Sequence, residues 1–239
     1  MDPHASQSSK RVLKELDTIC ERIRKDFDAK DAAREKALAH AREVIRNSAN
    51  AIRAIHRAEY DDAKTLMGQS AALLAGVDAA LKDHPDVYYA GFVHDSQKEH
   101  SEAHQTYALI RGEPLPSPDD LKVGYAAYLN GLGDTVGELR RHALDRVRHN
   151  DISWGENMLE IMDDIYYSMV SFDYPNAISG GLKRTADVVR SLIQRTRGDL
   201  TNAMRQQQLE AALARLEEKL KAVPQQRLEV KGQVLPKES

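Results

Sequence analysis

From about Ser9 to His56 the chain contains no glycine and no proline, and apolar residues recur there every three to four positions. Leu13, Leu16, Ile19, Cys20, Ile23 and Phe27 begin the stripe, and Leu38, Val44, Ile45, Ile52 and Ile55 continue it. A long run without breakers and with a period near 3.6 residues is the signature of an amphipathic helix. The spacing predicts one very long helix, bent near Asp28 to Asp31. Cys20 is expected to be a small core residue, and as the single cysteine it can form no disulfide within the chain.

The rest of the chain has the same character. Aromatics make up 5% of the 239 residues while Ala, Leu, Glu, Arg and Lys abound, a composition suited to long helices and poor in strand formers. A second helical pattern runs through Leu66, Leu73, Leu74, Val77 and Leu81 and stops at His84-Pro85, because proline disfavours helix in the residue before it. A third starts near Asp86. Arg111 to Asp120, with Gly112 and prolines at 114, 116 and 118, is the clearest connecting loop. A helix over about Leu121 to Arg148 is expected to bury Tyr125, Leu129, Leu132, Val136 and Leu139. Another follows from Ser153, read as an N-cap with Glu156 as its capping-box partner, and ends at Phe172-Asp-Tyr-Pro-Asn176. Gly180-Gly181 precedes a final long pattern from Leu182 to Leu220. The expected fold is all-α, a bundle of about six or seven long helices in one domain over 1–222, with 223–239 as a mobile C-terminal tail.

Net charge is −3, so nothing attracts nucleic acid globally and any such binding must use a local basic surface. The first ten residues lack an apolar signal-peptide core, and no run of eighteen apolar residues occurs. The expectation is a soluble, cytoplasmic protein without a membrane partner.

Glu99 falls on a helical line with Phe92, Ala103, Thr106 and Ile110, where an apolar residue is expected. Ionised groups are seldom buried unless paired or bound to a metal. Glu102 lies about one turn later on the same flank, and Asp134 and Glu138 project together from a second helix. That helix also carries Gly131, Gly133 and Gly137, each costing roughly 1 kcal/mol relative to alanine. Such a cost suggests that bare backbone lets a neighbouring helix approach until Glu99 and Glu102 share ligand space with Asp134. Oxygen ligands without Cys or His at zinc spacing suit Mg2+, or Mn2+, which would polarise a phosphate and activate water. A Glu-x-x-Glu pair on its own is more often a solvated face. His94, His100 and His104 nearby are read as surface or supporting groups and not ligands. Di-iron bundles supply Glu-x-x-His pairs, and this chain has none.

Arg42, Arg46, Asn50, Arg53 and Arg57 form one polar row on the first helix, about 22 Å long at 1.5 Å per residue. Such a row could follow a phosphate backbone, although a solvated face is the plainer reading. Arg140, Arg141, Lys183 and Arg184 are weaker candidates for the same task.

The segment Tyr128-Leu-Asn-Gly-Leu-Gly-Asp-Thr-Val-Gly-Glu-Leu-Arg-Arg141, together with Phe172-Asp-Tyr-Pro-Asn176, resembles the translin and TRAX family, especially its archaeal members. The resemblance spans about residues 10 to 222 and is most specific in Gly-Asp-x-x-Gly-Glu-Leu. It implies an all-helical subunit of a hollow homo-oligomer, roughly an octamer, that binds RNA or single-stranded DNA inside. It also implies a TRAX-type, magnesium-dependent endoribonuclease, because Glu99, Glu102, Asp134 and Glu138 match all four TRAX acids. Arg42, Arg46, Arg53 and Arg57 are the expected RNA-binding row, matched less specifically. The alternatives are a translin-like binder that does not cleave, and a helical nucleotide pyrophosphohydrolase, whose second acidic pair is typically Glu-x-x-Asp and so departs from Asp134-x-x-x-Glu138.

Overall fold

A computed structural model describes residues 3–222, which are helical with no strand among them. Six long helices carry the fold: α1 (Pro3–His56), α2 (Tyr60–Leu81), α4 (Gly91–Arg111), α6 (Tyr125–Val147), α7 (Ile152–Val170) and α9 (Leu182–Lys221). Single turns α3 (Pro85–Tyr88), α5 (Pro118–Leu121) and α8 (Asn176–Ser179) join them. The expected tail at 223–239 lies outside the described residues. α1 is unbroken across Asp28 to Asp31.

Small residues decide how the first three long helices meet. Ala37, Ala41, Ala51 and Ala54 of α1 are fully buried, which lets α2 and α4 lie close beside it. Ile55, Ala63, Met67, Ala103 and Tyr107 close one end of this group, and Val77, Leu81 and Val93 the other. The second group is α6, α7 and α9, around Leu139, Met162, Ile165, Met169, Val189 and Ile193. Each such side chain contributes roughly 1.5–3 kcal/mol by leaving water. The two groups join along α4 and α6.

That seam is unusually tight at one point. A Cβ built on Gly131 would stand 2.7 Å from the Lys98 carbonyl oxygen and 3.2 Å from the Glu102 amide nitrogen. Only glycine permits α6 to pass so near α4. Gly133 serves the other side, where a Cβ would meet Thr185 and Met169, whereas Gly137 has only Leu192 at 4.0 Å. The expected close approach holds at Gly131, and the other two glycines face α7 and α9.

Several local expectations are corrected. The first half of the α1 stripe is not core: Leu13, Leu16, Ile23 and Phe27 are 47–64% exposed, and Cys20 is half-buried beside them. Periodicity identifies an apolar face but not what covers it. Tyr125 is exposed at the start of α6, whose buried line is Leu132, Val136 and Leu139. The N-cap of α7 is Asp151, whose carboxylate accepts the Trp154 amide at 3.2 Å, and not Ser153. The expected loop runs from Gly112 to Ser117, and only its end is helical: Pro118–Leu121 forms one turn, because Ser117 and Asp120 build a capping box around Pro118. No helix among the described residues is long and apolar enough to cross a membrane.

Candidate functional site

The four acids stand on either side of the Gly131 contact. Glu102 is the buried one, 9% exposed, while Glu99 is half-exposed, so the burial expected of Glu99 belongs to its neighbour one turn on. The Thr135 hydroxyl lies at the seam, 3.0 Å from the Gly131 carbonyl oxygen of its own helix and 3.4 Å from the Glu102 carbonyl oxygen and Gln105 Oε1 of α4. Burial pushes the Glu102 carboxyl up to about 8, and Glu99, Asp134 and Glu138 push in the same direction. Glu102 thus lies within electrostatic reach of each of the other three.

A lysine and a histidine that the sequence did not single out meet the cluster. The Lys98 ammonium donates to Asp134 Oδ2 and stands 3.5 Å from Glu99 Oε1. Burial disfavours this ammonium, but the bond to Asp134 and the charges of Asp134, Glu99 and Glu102 together raise its pKa. His56, at the end of α1 and 4% exposed in its side chain, has Nε2 2.5 Å from Glu138 Oε2. Arg141 approaches the same oxygen at 3.7 Å. His56 Nδ1 is buried without a hydrogen-bond partner among the described residues. No sequence signal connects Lys98 with Asp134 or His56 with Glu138, because both pairs depend on how helices cross.

The histidine expectations split. His94 is half-exposed, but His100 is buried at 1%, with Nδ1 2.8 Å from Ser70 Oγ, which in turn meets Ser48 Oγ at 3.1 Å. Burial lowers its pKa to about 3, with His104 adding to the effect. His100 is therefore a neutral core group bridging α4 to α2, not a surface one. His104, stacked beside it and bonded to the His100 carbonyl, is likewise held below the usual histidine range by burial.

Four carboxylates and no thiolate form a donor set that fits a hard divalent cation such as Mg2+. A buried Glu102 whose anion is disfavoured by its neighbours is the chemistry such a cation relieves. Among the described residues, however, no three acidic or histidine side chains converge at ligand distance, and Lys98 lies among them as the counter-charge.

Arg42, Arg46 and Arg53 are exposed along α1, and Arg57 is exposed in the turn just after it. Arg46 pairs with Glu43 at 3.2 Å, Arg53 with Asn50, and Arg57 with Glu59. Arg53 is one helical turn before His56, which touches Glu138. Asn50, Arg53 and Arg57 line a shallow groove against Asp62, Thr65 and Leu66 of α2. Arg140 is not part of a basic surface: it donates to Thr196 Oγ1 at 2.9 Å and to Asp199 at 2.8 Å, tying α6 to α9.

The chain is similar to AfC3PO, solved alone and with duplex RNA, where C3PO is a translin/TRAX assembly. Against the duplex RNA complex it is 34% identical, with TM-score 0.72, covering 77% of this chain and 96% of that chain. The chain belongs to the translin/TRAX family. For AfC3PO without RNA the identity is 35% and the TM-score again 0.72, over the same shares of the two chains. Apo-NeC3PO, at 19% identity and TM-score 0.70, shares the translin/TRAX fold over 77% of this chain and 96% of its own. An uncharacterised protein of Methanocaldococcus jannaschii is 28% identical over 190 residues, 79% of this chain and 84% of the relative. No family model matches the sequence.

Proposed function

We propose that this translin/TRAX protein is a metal-dependent endoribonuclease of TRAX type, which binds and cleaves RNA within a homo-oligomeric shell. The observation that carries the reading is Glu102, a buried carboxyl one turn from Glu99 and under the influence of Asp134 and Glu138 across the Gly131 contact. An RNA-related role is supported by AfC3PO, whose structure includes a duplex RNA complex.

Glu99, Glu102, Asp134 and Glu138 would hold Mg2+ or Mn2+. Such an ion supplies charge stabilisation for a phosphoryl oxygen and activation of water in an in-line displacement. The protein's own groups prepare the place. Gly131 sets the distance between the two acidic helices, His56 fixes the Glu138 carboxylate, and Lys98 steadies Asp134 and Glu99. The arginine row beginning at Arg57 and Arg53 leads an RNA backbone towards the carboxylates. No side chain is required as a nucleophile, because water attacks.

A binder without turnover is the second reading. It is favoured by Lys98, whose ammonium already pairs with Asp134 and Glu99 and offsets part of the cluster's charge. Labelled RNA incubated with Mg2+, Mn2+ or chelator separates the two. Fragments that appear with metal and vanish with chelator support the nuclease, and intact retained RNA under all three conditions supports the binder. Release of pyrophosphate from free nucleoside triphosphates would point to neither. The octameric count, cytoplasmic location and binding of single-stranded DNA belong to the same proposal, and the first is read by sedimentation of the full chain.

A further inference from the structure

α1 continues well beyond the bundle. Its buried residues begin at Ala37, whereas Leu13, Leu16, Ile19, Ile23 and Phe27 are exposed on the preceding arm. Leu13, Leu16, Cys20, Ile23 and Phe27 are spaced three, four, three and four apart, a heptad seam made for another helix. Water-facing seams of this kind are costly unless filled, since contiguous apolar surface drives association.

We propose that this arm pairs antiparallel with the same arm of a second copy, about a two-fold axis near Cys20. Charges beside the seam select this partner. Asp17 and Arg24 follow Leu16 and Ile23 along one edge, the e positions of the heptad. In an antiparallel pair the e edges face each other, so Asp17 meets Arg24 of the second copy twice over. Arg24 holds only a loose, exposed contact with Glu21 at 3.5 Å and is free to make the exchange.

Other pairings meet like charge. A parallel pair of arms sets Asp26 against Asp31 of the other copy. The end of α9 offers a second exposed seam, Leu209, Leu213, Leu216 and Leu220. Its e positions are Glu210 and Glu217, so full antiparallel overlap with α1 sets Asp17 against Glu217, which cancels the attraction of Arg24 for Glu210, whereas the α1 pair makes two attractive contacts and no repulsive one at these positions; α9 with itself puts Glu210 against Glu217. Within one chain, α1 and α9 leave both seams exposed.

The contact stands independently of RNA cleavage. Its test is Asp17→Cys with Arg24→Cys in the Cys20→Ser full chain. The two new thiols lie about 10 Å apart on one helix, beyond the ~4.4–6.8 Å Cα separation a disulfide spans, so they can bridge only between copies. Mild oxidation should give covalent dimers on a non-reducing gel, the single-cysteine variants should stay monomeric, and adding Leu16→Asp should abolish the bridge. Dimers that form equally in the single variants, that survive Leu16→Asp, or that fail to form in the double variant would overturn the pairing. Circular dichroism of each variant checks that the helix persists.

Discussion

Glu102 shows how one residue carries information that its neighbours conceal. A glutamate normally gives up its proton near 4.5, whereas here the folded group holds it up to about 8. Between those values the folded state binds more protons than the unfolded chain, so stability falls as pH rises through the interval and is lost above about 8. His100 acts in the opposite sense: its neutral form is favoured by the fold, and that stability is lost as pH falls from 6.5 towards 3. From pH 6.5 to 9 the Glu102 effect stands apart. Melting curves of the metal-free protein should show Tm declining over that range, and Glu102→Gln should flatten the decline and raise Tm at pH 9. Identical slopes for the two proteins would contradict the placement of this carboxyl.

At the scale of elements, the sequence displayed the helices and concealed their crossings. The stripe from Leu13 to Ile55 declares a long helix, but half of it faces solvent, since repeat period says nothing about partners. The glycine excess of α6 pointed to close contact, and the structure divides the labour: Gly131 meets α4, Gly133 meets α7 and α9, and Gly137 meets little. Lys98 and His56 were invisible as site residues because their carboxylate partners lie 36 and 82 positions away in the chain. Two substitutions separate packing from propensity. Gly131→Ala forces a Cβ against the α4 backbone and should cost about 1–3 kcal/mol in denaturant unfolding, with loss of RNA cleavage. Gly137→Ala meets only ordinary contact and should stabilise by about 1 kcal/mol. The reverse ranking would mean that α4 and α6 do not approach closely at Gly131.

For the whole molecule, the proposed function rests on two separate features, a basic row on α1 and an acidic cluster across α4 and α6. Arg46 and Arg53 are exposed and bound to Glu43 and Asn50 on the same helix, and such surface contacts are weak enough for a phosphate chain to displace. Arg46→Glu with Arg53→Glu should weaken RNA binding and reduce the slope of log affinity against log salt, because fewer counter-ions are released. Unchanged affinity at every ionic strength would remove the row from the RNA path. The family membership and the AfC3PO likeness support RNA as the ligand, while cleavage depends on the four acids acting together. The most direct measurement is digestion of labelled RNA with Mg2+ by the full chain beside Asp134→Asn with Glu138→Gln. The account predicts fragments from the first and none from the second, with RNA binding and particle size retained. A double variant that cleaves as fast as the parent would contradict it.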